Sequence, residues 1–457
     1  MTVIVSDPTK WKPNEAINIV PEEDMKLIQA KKISSGKGSI EFRWSPIPGY
    51  YFIIQGEDKK ITSGDAILNG NGIGTINVKV QWIKNENGNL ICEGPLRLAT
   101  KGLEYGDRTG EIDYLHFFLP NFGINSSVPL PLEFVTYKNW NVRLKQFKNI
   151  KNLFETLDKD GGYAFTYECL ITYNGVSPFT FDQVEFIIRP LRLFLSFVRG
   201  AICSPLFLSG IKAGREGETD ILVFGIHPKS TLPPVWPLSR WTALIPPLWC
   251  DEHSHQDLNN AFNRFMDFYT MGELSSSNGY VNVYDHLSAI LHMYFEASMV
   301  TFSETVIILT QSALEALASM QAERYMCEIC FKHFSSKAFS AEAKIKWMLD
   351  YLHIPTDIPP EAKGLQDYLS SKGLDEPLNG VRAITYFRNG IIHANAASLR
   401  RIFGTSEDHV PSEEAMKKAI ILGRMYIELV ILHMLNYKGM YTNRFTKSTR
   451  QVDMALS

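Results

Sequence analysis

The feature that most constrains the fold of this chain is a change of hydrophobic period part-way along it. The first 175 residues carry short runs of β-branched and aromatic residues: Ser39–Trp44, Tyr51–Gln55, Thr75–Trp82, Leu90–Cys92, Tyr114–Phe118 and Ala164–Tyr173. Turn-forming stretches separate them, such as Pro46-Ile47-Pro48-Gly49, Asn69-Gly70-Asn71-Gly72 and Asn85-Glu86-Asn87-Gly88. Many short strands broken by frequent turns predict a sandwich or a barrel-like sheet. Phe179–Val198 reads as a helix, residues 205–250 as short strands with Asp220–Ile226 the clearest, and Asp251–Tyr269 as a helix again. From about residue 282 apolar residues recur at helical spacing over long stretches. Helices are predicted over Tyr284–Phe295, Ser303–Phe334, Ala341–Leu352, Leu374–Ala397 and Ser412–Tyr437. The predicted fold class is α+β. A β-rich region over 1–275 is followed by an all-α bundle over 276–457, with the boundary in the Gly/Ser-rich stretch 272–279.

At 457 residues and 45% hydrophobic content the chain can bury a large core. A net charge of −3 gives no general basic coat for duplex DNA, although a local basic surface is compatible with it. The six cysteines, Cys92, Cys169, Cys203, Cys250, Cys327 and Cys330, are sparse and irregularly spaced. That usage suits reduced thiols, and with an N-terminus lacking a basic-then-apolar leader it predicts a cytoplasmic protein. The apolar stretch Phe186–Leu208 is interrupted by Arg189, Pro190, Arg192 and Arg199, so it predicts a buried or amphipathic helix and no membrane span.

The segment that carries candidate chemistry is Arg388-Asn389-Gly390-Ile391-Ile392-His393. An apolar stripe runs Leu378, Val381, Ile384, then Arg388, then Ile391 and Ile392, so Arg388 fills a slot where the period predicts a hydrophobe. A charge there calls for a partner, either an interface or a ligand anion. A second stripe runs Arg382, Tyr386, Asn389, His393 and Arg400 at spacings of three, four and seven. On an ideal helix Arg388 and His393 lie about 140° apart and roughly 7.5 Å along the axis. Two copies of the helix across a two-fold axis would gather both sets around one phosphate. Taken alone, an Arg and a His on a helix more often make a salt bridge and a satisfied core contact.

The same segment resembles the Arg-x4–6-His motif of the HEPN superfamily, commonly Arg-Asn-x3-His, here Arg388, Asn389 and His393. Thr301–Tyr325, with its Ala-Leu-Glu-Ala-Leu stretch around Glu315, is similar to that family's first core helix. Lys344–Leu349 is similar to its middle helix. The resemblance covers about residues 280–440. A β-rich N-terminal region, then Phe194–Gly200, then such a bundle resembles the ApeA-type anti-phage defence proteins. These resemblances imply a homodimeric or higher metal-independent endoribonuclease acting in abortive infection or as a toxin. They also imply 2′,3′-cyclic phosphate products, no cofactor, and a phage-derived trigger sensed by the N-terminal region. RNA, tRNA among the candidates, is the implied partner.

The residue types fit that chemistry. A 2′-hydroxyl attacks the adjacent phosphate, a histidine moves the proton, and an arginine steadies charge on the phosphoryl oxygens. Arg382, Tyr386, Arg400 and Arg401 are the expected RNA contacts, with Lys417, Lys418 and Arg424 as further lining of a groove. Residues 381–450 hold eleven Lys or Arg against five Asp or Glu. A solvated helix face and a basic tail through Arg444, Lys447 and Arg450 would explain that excess equally well. Cys327-x2-Cys330-x2-His333 is half a zinc site, more simply two buried small residues one turn apart. Cys250-Asp251-Glu252-His253-Ser254-His255 gathers ligand types at a helix start, where an N-cap explains part of the pattern. The alternative function is a non-catalytic protein, with a β-rich recognition module and a helical dimerisation bundle.

Overall fold

Strand alternation builds the N-terminal part of the molecule, which a computed structural model describes at residues 11–45, 49–56, 61–70, 74–86, 89–97, 109–122, 135–147, 149–175 and 178–212. Further on it describes residues 252–270, 274–276, 279–281, 283–300, 302–336, 338–374, 378–393, 412–446 and 449–451. At 252–255, 274–276, 279–281, 412 and 449–451 the description is of backbone alone. The strand expected at Asp220–Ile226 lies outside these residues, as do Arg400 and Arg401.

The chain divides into two compact units. In the first, seven strands form one antiparallel sheet: β1 (Ile17–Gln29), β2 (Lys32–Arg43), β3 (Gly49–Gly56), β4 (Gly64–Gly70), β5 (Gly74–Val80), β6 (Trp82–Glu86) and β7 (Asn89–Pro95). Their order is β5-β4-β1-β2-β3-β7-β6. The sheet curls until β5 meets β7. Val78 bridges Leu96, Arg97 N–H donates to Asn77 O at 2.8 Å, and Gln81 N–H donates to Glu93 O at 2.9 Å. Gly94 sits at this closure, where any Cβ would collide with the Lys79 carbonyl. Bulges in β1 near Val20 and Glu23 supply the bend that such curling needs.

A second sheet in the same unit is ordered β10-β11-β12-β9-β14. Its strands, with short neighbours, are β8 (Glu111–Ile112), β9 (Tyr114–Pro120), β10 (Val135–Tyr137), β11 (Trp140–Gln146), β12 (Phe165–Tyr173), β13 (Phe179–Thr180) and β14 (Leu206–Ile211). Helix α1 (Ile150–Asp160) precedes β12. Rings from both sheets share one core: Phe42 lies 5.4 Å from Phe207, and Trp44 stacks on Tyr163 at 5.0 Å. On the second sheet Glu168 accepts from His116 Nε2 at 2.9 Å and from Lys145 Nζ at 3.1 Å. The His116 hydrogen bond, aided by Lys145, outweighs burial and pulls the Glu168 carboxyl down to about 2. A carboxylate so depressed stabilises the fold above its unfolded value near 4.5, and the contribution is lost as pH falls toward about 2. Allowing for solvent screening, it is on the order of 1–2 kcal/mol. Urea unfolding at pH 6 and pH 3 should show this loss, and Glu168→Gln should flatten it. An unchanged pH slope in that variant would remove the carboxylate from the account.

Helix α2 (Phe181–Arg199) crosses the division between the units at Arg192. The second unit holds its last residues and α3 (Glu252–Thr270), the hairpin β15 (Leu274–Ser276) and β16 (Gly279–Val281), α4 (Val283–Met299), α5 (Ser303–Tyr325) and α6 (Glu328–Phe334). There follow α7 (Ala341–Tyr351), a 3-10 turn at Pro360–Ala362, α8 (Lys363–Ser371), α9 (Gly380–Ile392), α10 (Ser412–Met434) and the pair β17 (Met440–Thr442) and β18 (Thr449–Gln451). The molecule is thus α+β, with a β-rich N-terminal part and a helical C-terminal part. No helix among the described residues is long and apolar enough to cross a membrane.

Helix α5 is buried nearly all round, from Val306 to Ala322, and contacts α4, α7, α9 and α10. The expected helix Ser303–Phe334 is in fact two. Met326 turns to extended geometry (φ −92°, ψ 150°) and Cys327 caps a new start, where Glu328 suits the positive end of α6. Cys327 and Cys330 are exposed, so the reading of them as buried small residues is corrected.

Candidate active site

Helix α9 presents the Arg388–His393 segment. Asn379 caps its start, its side chain accepting from Arg382 N–H at 2.9 Å. This places the start six residues later than Leu374, as Pro377 and an Asn cap favour. Gly380 N–H and the Tyr426 hydroxyl both donate to Thr356 O, at 2.7 and 3.2 Å, tying the first turn of α9 to α10. Val381, Ile384 and Phe387 are buried, and Phe387 stacks on Tyr368 at 5.7 Å. Gly423 of α10 lets Ile384 and Thr310 approach closely, and a Cβ there would press into both. The site helix is therefore held from α5, α8 and α10.

The other face of α9 carries the candidates. Arg382, Tyr386 and Arg388 are half-buried, whereas Asn389 and His393 are exposed. Arg388 Nη1 donates to Asn389 Oδ1 at 3.0 Å, and among the described residues this is its one hydrogen bond. No carboxylate among the described residues pairs with it. Glu315 of α5 accepts from Gln311 at 2.7 Å. Helix α9 stops at Ile392, short of the expected Ala397. His393 is its C-cap (φ −95°, ψ 37°), with its N–H on Asn389 O at 2.9 Å. The Asn389 side chain thus receives the Arg388 guanidinium, whereas His393 is tied to Asn389 by the helix backbone alone. Beside them Ile392 is 47% exposed.

Other expected contacts are placed differently. Arg424 is half-buried with its Nε closed off from solvent, and desolvation first, then the nearby Arg444 charge, lowers its pKa to about 10. It is not the groove lining that the sequence suggested. Lys417 is exposed and pairs with Glu413 at 2.6 Å. Arg444, read above as part of a solvated tail, is buried against Glu428, with Nη2 on the Tyr294 hydroxyl at 2.9 Å. The sequence signal for that cluster was Glu428 itself, a carboxylate inside the apolar run Ile427–Ile431. The side chains of Cys250, Asp251, His253 and His255 lie outside the described residues.

No solved structure matches the chain. A curated relative, the SPbeta prophage-derived uncharacterized protein YopA of Bacillus subtilis (strain 168), is 24% identical over 319 residues. That alignment covers 67% of this chain and 61% of the relative, so the match spans about three fifths of the relative's length. The similarity also appears domain by domain: residues 132–220 match the YopA central domain and residues 281–454 the YopA C-terminal domain.

Proposed function

We propose that the helical unit is a HEPN-type, metal-independent endoribonuclease, with Arg388, Asn389 and His393 as its catalytic residues. The observation that carries this reading is the Arg388–Asn389 hydrogen bond with His393 exposed at the same end of α9. There the arginine keeps most of its donors for an anion, and the histidine faces solvent. In the reaction the 2′-oxygen bonds to phosphorus while the bond to the 5′-oxygen breaks. His393 takes the proton from the 2′-hydroxyl or delivers one to the leaving oxygen. Arg388 donates to the phosphoryl oxygens as charge builds on them. Asn389 holds the guanidinium in line. Two copies of α9 across a two-fold axis, meeting near exposed Ile392, would supply both the acid and the base.

The β-rich unit is proposed to hold the nuclease at a low but measurable basal rate until it senses a trigger, in defence against phage or as a toxin. The relative's printed name places that protein in a prophage, a setting that accords with such a conflict. The purified protein, incubated with bulk tRNA and mRNA in EDTA, should cut RNA to 2′,3′-cyclic phosphate and 5′-hydroxyl ends. The RNA brings its own nucleophile, so chelation should leave the rate within about twofold. Activity lost in EDTA and regained with a divalent ion would overturn the mechanism. No cleavage of any RNA by the intact protein would favour the recognition-module alternative.

A further inference from the structure

The exposed Cys327–Cys330 pair lies outside the proposed nuclease site, and the inference it carries does not rest on the nuclease reading. Two thiols with two residues between them can bridge only where the backbone brings the sulfurs together. Within a regular helix, residues three apart hold their Cβ atoms about 5–6 Å apart, whereas a disulfide needs about 3.5–4.5 Å. Here the chain leaves the regular helix at the residue where it matters. Met326 ends α5 in extended geometry, and Cys327, the residue before α6, is extended as well (φ −67°, ψ 160°). A side chain in that position folds back over the first turn, toward the third residue of the helix. That residue is Cys330, and the two thiols face one another.

The two sulfurs are unequal. The Cys330 N–H turns toward the Cys327 sulfur, short of a full capping hydrogen bond. Together with the Cys330 thiol and the Ile329 N–H it holds the Cys327 thiol below the usual cysteine range. The Cys327 sulfur in turn pushes the Cys330 thiol up. The thiolate is the attacking form, so Cys327 is the nucleophile and Cys330 the group that resolves its product. Both cysteines are exposed, and Ile329 between them is 81% exposed, so a reagent reaches the pair without opening the fold. Cys92, Cys169 and Cys203 are buried, and burial pushes the Cys92 and Cys169 thiols up, which leaves them inert. His333, third in the Cys-x2-Cys-x2-His pattern, lies against Phe339 at 5.3 Å. Among the described residues no three His, Cys, Asp or Glu side chains gather as metal ligands would.

We infer that Cys327 and Cys330 form a reversible dithiol–disulfide site whose co-substrate is an organic disulfide, RS–SR. The Cys327 thiolate attacks one sulfur of RS–SR and expels RS⁻, leaving a mixed disulfide on Cys327. Cys330 then gives its proton to solvent and attacks the Cys327 sulfur, expelling the second RS⁻. Two thiols are oxidised to one bridge while the co-substrate is reduced to two RSH, so electrons and protons balance. Excess thiol drives the same steps backward. In reducing compartments bridges of this kind are transient and redox-sensing.

The reduced full chain should be incubated with glutathione at a series of oxidised-to-reduced ratios, alkylated and digested with trypsin. Trypsin releases Tyr325–Lys332, which holds both sulfurs, as one peptide. That peptide should appear two hydrogens lighter as the ratio rises and revert when dithiothreitol is added. Cys92, Cys169 and Cys203 should become alkylatable only on denaturation. Cys330→Ser should accumulate glutathione on Cys327 about threefold or more faster than Cys327→Ser accumulates it on Cys330. Both positions are exposed, so serine there leaves the chain folded, and each variant's melting temperature checks this. No bridged peptide even in oxidised glutathione alone overturns the inference. So does a bridge that forms only together with modification of the buried cysteines, since exchange would then require unfolding. A rate on Cys330 equal to or faster than that on Cys327 overturns the assignment of the attacking sulfur.

Discussion

Arg388→Ala and His393→Ala should each abolish RNA cleavage by the protein while leaving it folded. Loss of a general acid or base costs roughly 10²–10⁴-fold in rate, and loss of a donor to developing phosphoryl charge roughly 10²–10³-fold. Neither side chain is part of the core. Arg388 is half-buried with Asn389 as its partner, and His393 is exposed at the helix end. Surface changes of this kind shift stability by about 0.5 kcal/mol or less, so melting temperatures should scarcely move. Arg388→Lys separates charge from shape. It keeps the cation but loses the planar fork, and should recover only a small part of the rate. Asn389→Ala should lie between, because it frees the guanidinium without removing it. Either alanine variant cutting RNA at the wild-type rate would sink the assignment.

The sequence showed which face of α9 is buried better than it showed where the helix ends. Leu378, Val381 and Ile384 recur at helical spacing and are all buried, whereas Asn389 and His393 of the second stripe are exposed, as is Ile392 at the end of the apolar stripe. Apolar period alone does not locate a terminus, so the predicted helix ran past the C-cap that His393 makes. Strand β1 escaped notice for a different reason. Pro21 and the acidic run Glu22–Asp24 look like a loop, yet Met25 and Leu27 point inward while Asp24 and Lys26 point out. The bulges at Val20 and Glu23 interrupt the alternation that would have marked a strand. The single strand expected over Thr75–Trp82 breaks at Gln81, whose N–H turns to Glu93. The largest misreading concerned charge. The excess of Lys and Arg over 381–450 suggests an outward-facing set, but Arg424 and Arg444 both turn toward Glu428.

That inward cluster should be the most sensitive point of the helical unit. Glu428 is fully buried on α10, where it accepts from Arg444 Nε at 2.7 Å and from the Tyr294 hydroxyl of α4. The Arg444 guanidinium also reaches the Tyr294 oxygen, so the chain after α10 is fastened to α4 and α10 at one place. Burial works against the charge on Arg444, and Glu428 outweighs it. Removing one partner strands the other charge in a low-dielectric interior, which costs about 3–5 kcal/mol. Glu428→Gln should be the worse single change, because it leaves Arg424 and Arg444 as neighbouring cations with no carboxylate between them. Arg444→Met should be milder, since Arg424 then stands as the remaining counter-charge to Glu428. Replacing both at once, Glu428→Leu with Arg444→Met, leaves one uncompensated cation, Arg424, where Glu428→Gln leaves two, and should cost less than Glu428→Gln alone. Urea unfolding midpoints of the full chain, followed by a helix-sensitive signal, give the comparison. Single variants costing under about 1 kcal/mol would mean the pair is solvated rather than buried. A double variant as unstable as the sum of its parts would mean that the two side chains act independently.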